Sequence, residues 1–266
     1  MSWDNVFSYS WLLMFLAIIF GAVFGSFSTF LGYRLFNNKL KLTGIRSVCP
    51  KCEHKLSVFD LIPVLSFLLL HGKCRYCHSR IPIWYIFSEI AMIVSFILAI
   101  KHFDGANIKS FLMCLICFCL ITQSIIDYRV MMSSDVLHII ELFAIFFLAY
   151  LSGTKISYIV IGYFIVALIF FVIASVMKKI LKKDCIGFGD IKLFIILSPL
   201  IPFEKMPFFF ALCGLFGIIF YFLKVFCIQQ RNLSLPSRLE LSKCRECQQF
   251  PFIPAIFFAF LLAFYF

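Results

Sequence analysis

Eight long apolar runs decide what this chain can become. They cover Ser10–Phe36, Ile81–Ile100, Ile108–Ile126, Val136–Leu151, Ile156–Met177, Ile191–Phe203, Met206–Ile228 and Pro251–Phe266. A bilayer-crossing helix needs about 20 mostly apolar residues, because its backbone must satisfy itself without water. The fourth, sixth and eighth runs are short, and the sixth is expected to begin inside the glycine turn before it. The stretch Leu61–Leu70 is apolar but too short to span, so it is expected at the interface or against its own loop. Apolar residues make up 63% of the 266 and charged ones 14%, against about half and a quarter in a soluble domain. This excludes an ordinary soluble globule and a disordered chain. The first run follows Asp4 and lacks a small-residue cleavage site, so it reads as a span and not as a cleaved signal peptide. The expected fold is an all-α polytopic membrane protein with about eight transmembrane helices.

The formal net charge of +11 would suggest nucleic acid as the partner of a soluble protein. Here Lys and Arg sit in loops between apolar runs. Eight spans place Lys101, Lys109, Lys155 and Lys205 on one side and the rest of the 24 basic residues on the other. A wrong span count would scramble that alternation. Basic residues accumulate on the cytoplasmic side, so the loop Arg34–Arg80 is read as cytoplasmic and both termini as outward. The expected partner surface is lipid, with no nucleic acid. The expected organisation is a first span over 1–36, a cytoplasmic loop over 37–80 and a helical bundle over 81–266.

Twelve cysteines are present. Cys114, Cys117, Cys119, Cys185, Cys213 and Cys227 lie in or beside spans and read as small apolar packers. The other six form three Cys-x-x-Cys pairs on the cytoplasmic side, where disulfides are disfavoured. Cys49–Cys52 and Cys74–Cys77 can bring four thiolates around one zinc. Such a closed site is structural, because no ligand position is open for chemistry. Lys51, Lys73 and Arg75 would offset its negative charge. Cys244–Cys247 has no partner pair nearby and reads as spare thiols. His54, His71 and His78 read as surface residues, and His102 and His138 carry no pattern.

Carboxylates at the edge of a membrane span are costly and tend to have a task. Asp127 ends the third run and Asp190 opens the sixth, in Gly187-Phe-Gly189-Asp190-Ile-Lys192. Two carboxylates at one depth can share a proton, one activating water while the other protonates the departing group. The flanking glycines would let the backbone unwind and a peptide approach. On span position alone, the same residues also read as loop charges paired to Arg129 and Lys192. Asp135 reads as a helix N-terminal residue, and Asp184 as a counter-charge to the lysines before it. Glu89 lies inside the second run and needs a partner or a role.

Taken in order, these pieces resemble the bacterial type IV prepilin peptidases, the leader peptidase/N-methyltransferases. The resemblance runs through Gly21-x-x-x-Gly25-Ser26-Phe27, Tyr33-Arg34-Leu35, Cys49-Pro50-x-Cys52 and Phe59-Asp60-x-Ile62-Pro63. It continues through Gly72-Lys73-Cys74-Arg75-x-Cys77, then Ile81, Tyr85 and Glu89, then Asp127 with Asp135 eight residues on. It ends with Gly187–Leu193 and Phe250–Ala255. It implies a membrane aspartic protease in the bacterial inner membrane. The substrate implied is a prepilin or pseudopilin, whose basic leader is cut after glycine at the cytoplasmic face. It also implies that the new N-terminal amine is then methylated from S-adenosylmethionine. The catalytic roles map onto Asp127 and Asp190, the zinc loop onto Cys49, Cys52, Cys74 and Cys77, and Glu89 is the candidate in the methyl-transfer half. Ser134, Thr29, Asp184 and Ile253 depart from the family's usual Pro, Asn, Glu and Gly.

Two other classes compete. A transporter could use Asp127, Asp190 and Glu89 as a cation path, but leaves the cysteine pairs unexplained. A non-catalytic membrane-anchored zinc module leaves Gly187–Asp190 unexplained. A basic enzyme surface does not attract a basic leader, so anionic lipid or Asp60, Asp135, Asp184 and Glu89 would have to offset it.

Overall fold

The computed structural model describes residues 3–35, 47–49, 51–181, 187–232 and 251–266. Among these the chain is helical. The extended pairing consists of two isolated bridges, Val48 with Lys55 and Lys73 with Arg80. The helices are α1 (Trp3–Arg34), α2 (Leu65–Leu69), α3 (Trp84–His102), α4 (Ile108–Val130), α5 (Asp135–Leu151), α6 (Ile156–Leu181), α7 (Phe188–Leu197), α8 (Met206–Asn232) and α9 (Ile253–Tyr265). Every apolar run of the sequence carries one of them.

Five helices, α1, α3, α4, α6 and α8, are long and apolar enough to cross a membrane. Helix α5 has 17 residues and α9 has 13. The sixth run behaves differently from the others. Helix α7 starts at Phe188, inside the glycine turn, but stops after 10 residues, about 15 Å of rise. Pro199 and Pro202 explain the stop: each lacks an N–H and crowds the preceding turn, and the chain tightens into a 3-10 turn over Ser198–Leu200. Large side chains on α6, such as Phe164, Phe171 and Ile180, are exposed. That is what a lipid-facing helix surface requires. The stretch Leu61–Leu70 follows a 3-10 turn over Val58–Leu61 and holds the short α2, neither element burying a residue.

Packing divides the chain into two compact units, Met1–Ile125 and Ile126–Phe266, with the boundary inside α4. In the first unit α1 lies directly on α3. A Cβ added at Gly21 would fall 2.6 Å from the Ile93 Cα, and one at Gly25 would fall 2.5 Å from the Glu89 Cα. Only glycine lets the two backbones come this close. Beside them the Thr29 and Ser88 hydroxyls share a 2.6 Å hydrogen bond in a buried position. Threonine therefore fills its departure from the family pattern with a bond to α3. Phe24 stacks on Phe96 and meets Phe118 edge-on, which joins α4 to the pair.

In the second unit the core is aromatic. Phe194 of α7 stacks on Phe170 of α6 and meets Phe209 and Phe210 of α8 and Phe252 just before α9. Buried residues of α5, Leu137, Ala144, Ile145 and Leu148, complete it.

Candidate active site and metal centre

The two cysteine pairs sit on matching turns. Cys49 N–H donates to His54 O and Glu53 N–H to Cys49 O; Cys74 N–H donates to Ser79 O and His78 N–H to Cys74 O. The residue after each second cysteine, Glu53 (φ 55°) and His78 (φ 54°), takes the left-handed conformation that closes the turn. The four Sγ atoms lie within 4.8 Å of one another, with Cys49 and Cys77 at 3.9 Å. Tetrahedral zinc with bonds of about 2.3 Å needs sulfurs about 3.8 Å apart, so the donors fit that ion. The hydroxyl and backbone of Ser79 hold the Cys77 thiol down to about 6. At Cys52 a hydrogen bond from the His54 backbone is outweighed by desolvation and the neighbouring thiols, which push that thiol up to about 11. The cluster thus favours deprotonation at one position, and zinc would have to draw the proton from the other. The three nearby histidines are exposed and outside the cluster, and His54 lies against Tyr76 with ring centroids 3.7 Å apart.

Arg75, expected as a counter-charge to the thiolates, is ion-paired with Asp60. It donates to Asp60 Oδ1 at 2.7 Å. Burial opposes charge on Asp60, but hydrogen bonds from the Ser57 hydroxyl and N–H and from Arg75 outweigh it and hold the carboxyl below its usual range. Asp60 thus clasps the two sides of the loop. Zinc should stabilise that loop, since metal binding there is folding energy. Cys52→Ser or Cys77→Ser is expected to lower bound zinc from about one per chain towards none, and to expose the loop to protease. One zinc retained after all four cysteines are replaced would overturn the assignment. Cys244 and Cys247 would then be tested next; they lie outside the described residues, as do Asp184, Cys185 and Phe250, and the side chain of Cys227 is not described.

Glu89 is buried. Its Oε2 accepts the Val64 N–H at 2.7 Å, and Ser26 also donates to it. Val64 (φ 61°, ψ −52°) is the centre of a γ-turn closed by Leu65 N–H to Pro63 O at 2.6 Å, a strained conformation for a β-branched residue. Glu89 forms no ion pair with Arg34 or Arg80 among the described residues. It ties the loop to α3. For S-adenosylmethionine, this buried carboxylate with Ser26, Ser88 and Thr29 close by is the anionic, polar donor set that suits a sulfonium or an amine. The cofactor would supply the methyl group, and these residues would hold the cation beside it.

The aspartates converge in the second unit. Asp127 lies in the last turn of α4 and is buried. Met131, in the left-handed region at φ 55°, donates its N–H to Asp127 O at 2.9 Å and turns the chain sharply after the helix. Asp190 is the third residue of α7 and lies within Coulombic reach of Asp127. The reading of both as loop charges paired to Arg129 and Lys192 loses one partner, because Lys192 is bound to Asp135 at 2.5 Å. Asp135 opens α5, as its position in the sequence suggests. The glycines have a different purpose from backbone unwinding. Gly187 has ordinary angles (φ −62°, ψ 134°) and α7 runs unbroken from Phe188. A Cβ at Gly187 would crowd the Asp190 carboxyl at 2.8 Å, and one at Gly189 would collide with the Ser133 side chain. The glycines make room for the carboxyl and let the α4–α5 connection close onto α7.

Two features of the sequence passed unnoticed. His138 is not without pattern: its Nδ1 faces Glu141 Oε2 at 3.6 Å, one turn on, and both are buried in α5. A histidine and a glutamate three apart inside an apolar run is the signal that finds them. The second is Ile253, whose N–H donates to Asp127 Oδ2 at 3.0 Å.

A helical membrane protein with a four-cysteine centre and two aspartates within Coulombic reach is a narrow class. Two family profiles match: the Bacterial Peptidase A24 N-terminal domain over residues 19–103 and the Type IV leader peptidase family over residues 113–222. The chain is 30% identical over 271 residues to the prepilin leader peptidase/N-methyltransferase of Vibrio cholerae serotype O1, covering 97% of each chain. It is 28% identical to that of Bacillus subtilis over 95% of this chain and 94% of the relative. It is 29% identical to that of Aeromonas salmonicida over 66% and 60%. No solved structure matches. The chain belongs to the prepilin leader peptidase/N-methyltransferase family, membrane enzymes that join a peptidase to a methyltransferase.

Proposed function

We propose that this enzyme removes the basic leader of a prepilin or pseudopilin after glycine, at the cytoplasmic face of the bacterial inner membrane, and then methylates the new N-terminus. The proposal includes eight spans, counting α5, α7 with its 3-10 extension, and α9, and both termini outward. The observation that carries it is that Asp127, buried at the end of α4, and Asp190, half-buried in the first turn of α7, lie within Coulombic reach of each other. Such a pair needs no metal: one carboxylate takes a proton from water while the other donates one to the substrate. Asp60 and Asp135 are engaged by Arg75 and Lys192, so attraction of a basic leader is assigned to anionic lipid.

The zinc loop and the Gly25–Glu89 region of the first unit are assigned to methyl transfer, with Glu89 taking up or orienting the proton of the substrate ammonium. Glu89→Gln separates this role from the structural one, because a glutamine carbonyl still accepts the Val64 N–H but cannot take the proton. The test is incubation of purified enzyme with prepilin, followed by mass measurement, and of pre-cleaved pilin with labelled S-adenosylmethionine. Wild type is expected to remove the leader and add one methyl group. Glu89→Gln should cleave normally and transfer at most about a hundredth of the label. Normal transfer removes Glu89 from the chemistry, and unchanged substrate mass with wild type overturns the function.

A further inference from the structure

Helix α9 begins at a catalytic carboxylate. The first N–H groups of a helix have no partner within it, and the Ile253 N–H gives its bond to Asp127 Oδ2 at 3.0 Å in a buried position. A carboxylate there gains from a charge-assisted bond and from the positive end of the helix dipole. The same turn touches the other aspartate's helix. The ring of Phe252 lies 6.3 Å from that of Phe194, which is one turn beyond Asp190 on the same face of α7. The Asp190 carboxyl accepts no hydrogen bond among the described residues. The start of α9 therefore meets both aspartate-bearing elements and donates to one of them.

We propose that the Ile253 N–H at the head of α9 fixes the division of labour in the pair, so that Asp127 carries the negative charge and Asp190 holds the proton. This rests on the reading of these residues as the acid–base pair. Two adjacent carboxylates do not both ionise, and a symmetric pair would share the proton. The donor on Asp127 breaks that symmetry before substrate arrives. As water bonds to the scissile carbonyl carbon, Asp127 takes the water proton and Asp190 protonates the carbonyl oxygen. As the C–N bond breaks, Asp127 delivers its proton to the nitrogen and Asp190 regains one from the hydroxyl. The products are a carboxylic acid and an amine, and the starting protonation is restored. Ile253 is a positioning residue that acts through its backbone. Its side chain is buried in the core and anchors the head of α9, while the donor itself belongs to the backbone.

The charged and titratable groups on the elements around Asp127 include Tyr128 and Arg129 on α4, Asp135, His138 and Glu141 on α5, and Asp190 and Lys192 on α7, with Lys192 engaged by Asp135 and His138 facing Glu141. On α9 the titratable group is Tyr265, at the far end. Residue 253 is the first of its helix, where proline is tolerated, so Ile253→Pro removes this donor and leaves the ladder intact. Because proline restricts the residue before it, a second variant carries an α-hydroxy acid at 253, which replaces N–H by oxygen and keeps the side chain. The readout is kcat/KM for prepilin cleavage against pH. Without the donor the lower apparent pKa of the pair rises, so the acid limb is expected to move up by about one to two pH units. KM should change less than kcat, and Ile253→Val, which keeps the N–H and most of the buried side chain, should restore the position of the acid limb. An acid limb unmoved in the folded proline variant, or in the ester variant where proline prevents folding, overturns the inference. Full cleavage by Asp127→Asn would instead overturn the acid–base reading beneath it.

Discussion

Asp127→Asn is expected to abolish leader cleavage, and Asp190→Asn to do the same, each by a factor of at least about a thousand. The amide keeps the shape of the carboxyl but can neither take nor give the proton. Both variants should stay folded. In Asp127→Asn the side-chain amide oxygen can still accept the Ile253 N–H, and removing one of two adjacent carboxylates relieves like-charge repulsion. Transfer of label from S-adenosylmethionine to pre-cleaved pilin checks this, since it should persist in both. Asp135→Asn should keep most of the activity, because Asp135 binds Lys192 at the surface and does not touch the pair. Cleavage that survives Asp190→Asn but not Asp184→Asn would show that the pairing is wrong.

The parts of this site that the sequence displayed are those written in local spacing. Two Cys-x-x-Cys turns each fold on their own hydrogen bonds, and the loop between them needs only to bring the turns together. The apolar runs placed every helix but the short α2, because membrane burial demands length and hydropathy, both of which are local quantities. What a run cannot show is which residue meets which. Arg75, read as a counter-charge for zinc, pairs with Asp60, and Glu89 accepts the Val64 amide, partners that no spacing in the sequence announces. The two glycines beside Asp190 drew attention for the freedom of their backbone, whereas their function is the absence of a side chain. Backbone donors are the hardest to foresee. Every residue but proline has an N–H, so nothing in Phe252-Ile253-Pro254 announces that this one reaches Asp127 across 126 positions of chain.

Gly25→Ala is expected to destabilise the first unit by about 1–3 kcal/mol, and Gly25→Leu to prevent its packing altogether. The added Cβ would lie 2.5 Å from the Glu89 Cα and 2.8 Å from Ser88 O. Both are backbone atoms of a continuous helix, so no rotamer change relieves the clash and α1 must move away from α3. That movement would pull apart the bond between Thr29 and Ser88 and shift Glu89 from the Val64 amide. The strained turn at Val64 would lose the partner that holds it, and loosening would spread into the zinc loop. Thermal unfolding in detergent measures the cost. Protease sensitivity at 58–70 reports whether the loop has come free. Gly162→Ala and Gly214→Ala are the controls. Both lie in helices with nothing within 4 Å of the added Cβ, so alanine there should be neutral or stabilise by up to about 1 kcal/mol. If Gly25→Ala unfolds no earlier than these two, α1 does not lie against α3 at this distance. Methyl transfer should fail in Gly25→Leu while cleavage by the second unit is lost less. If instead both activities fall together, the protease depends on the α1–α3 pair, and the assignment of separate chemistry to the two halves is wrong.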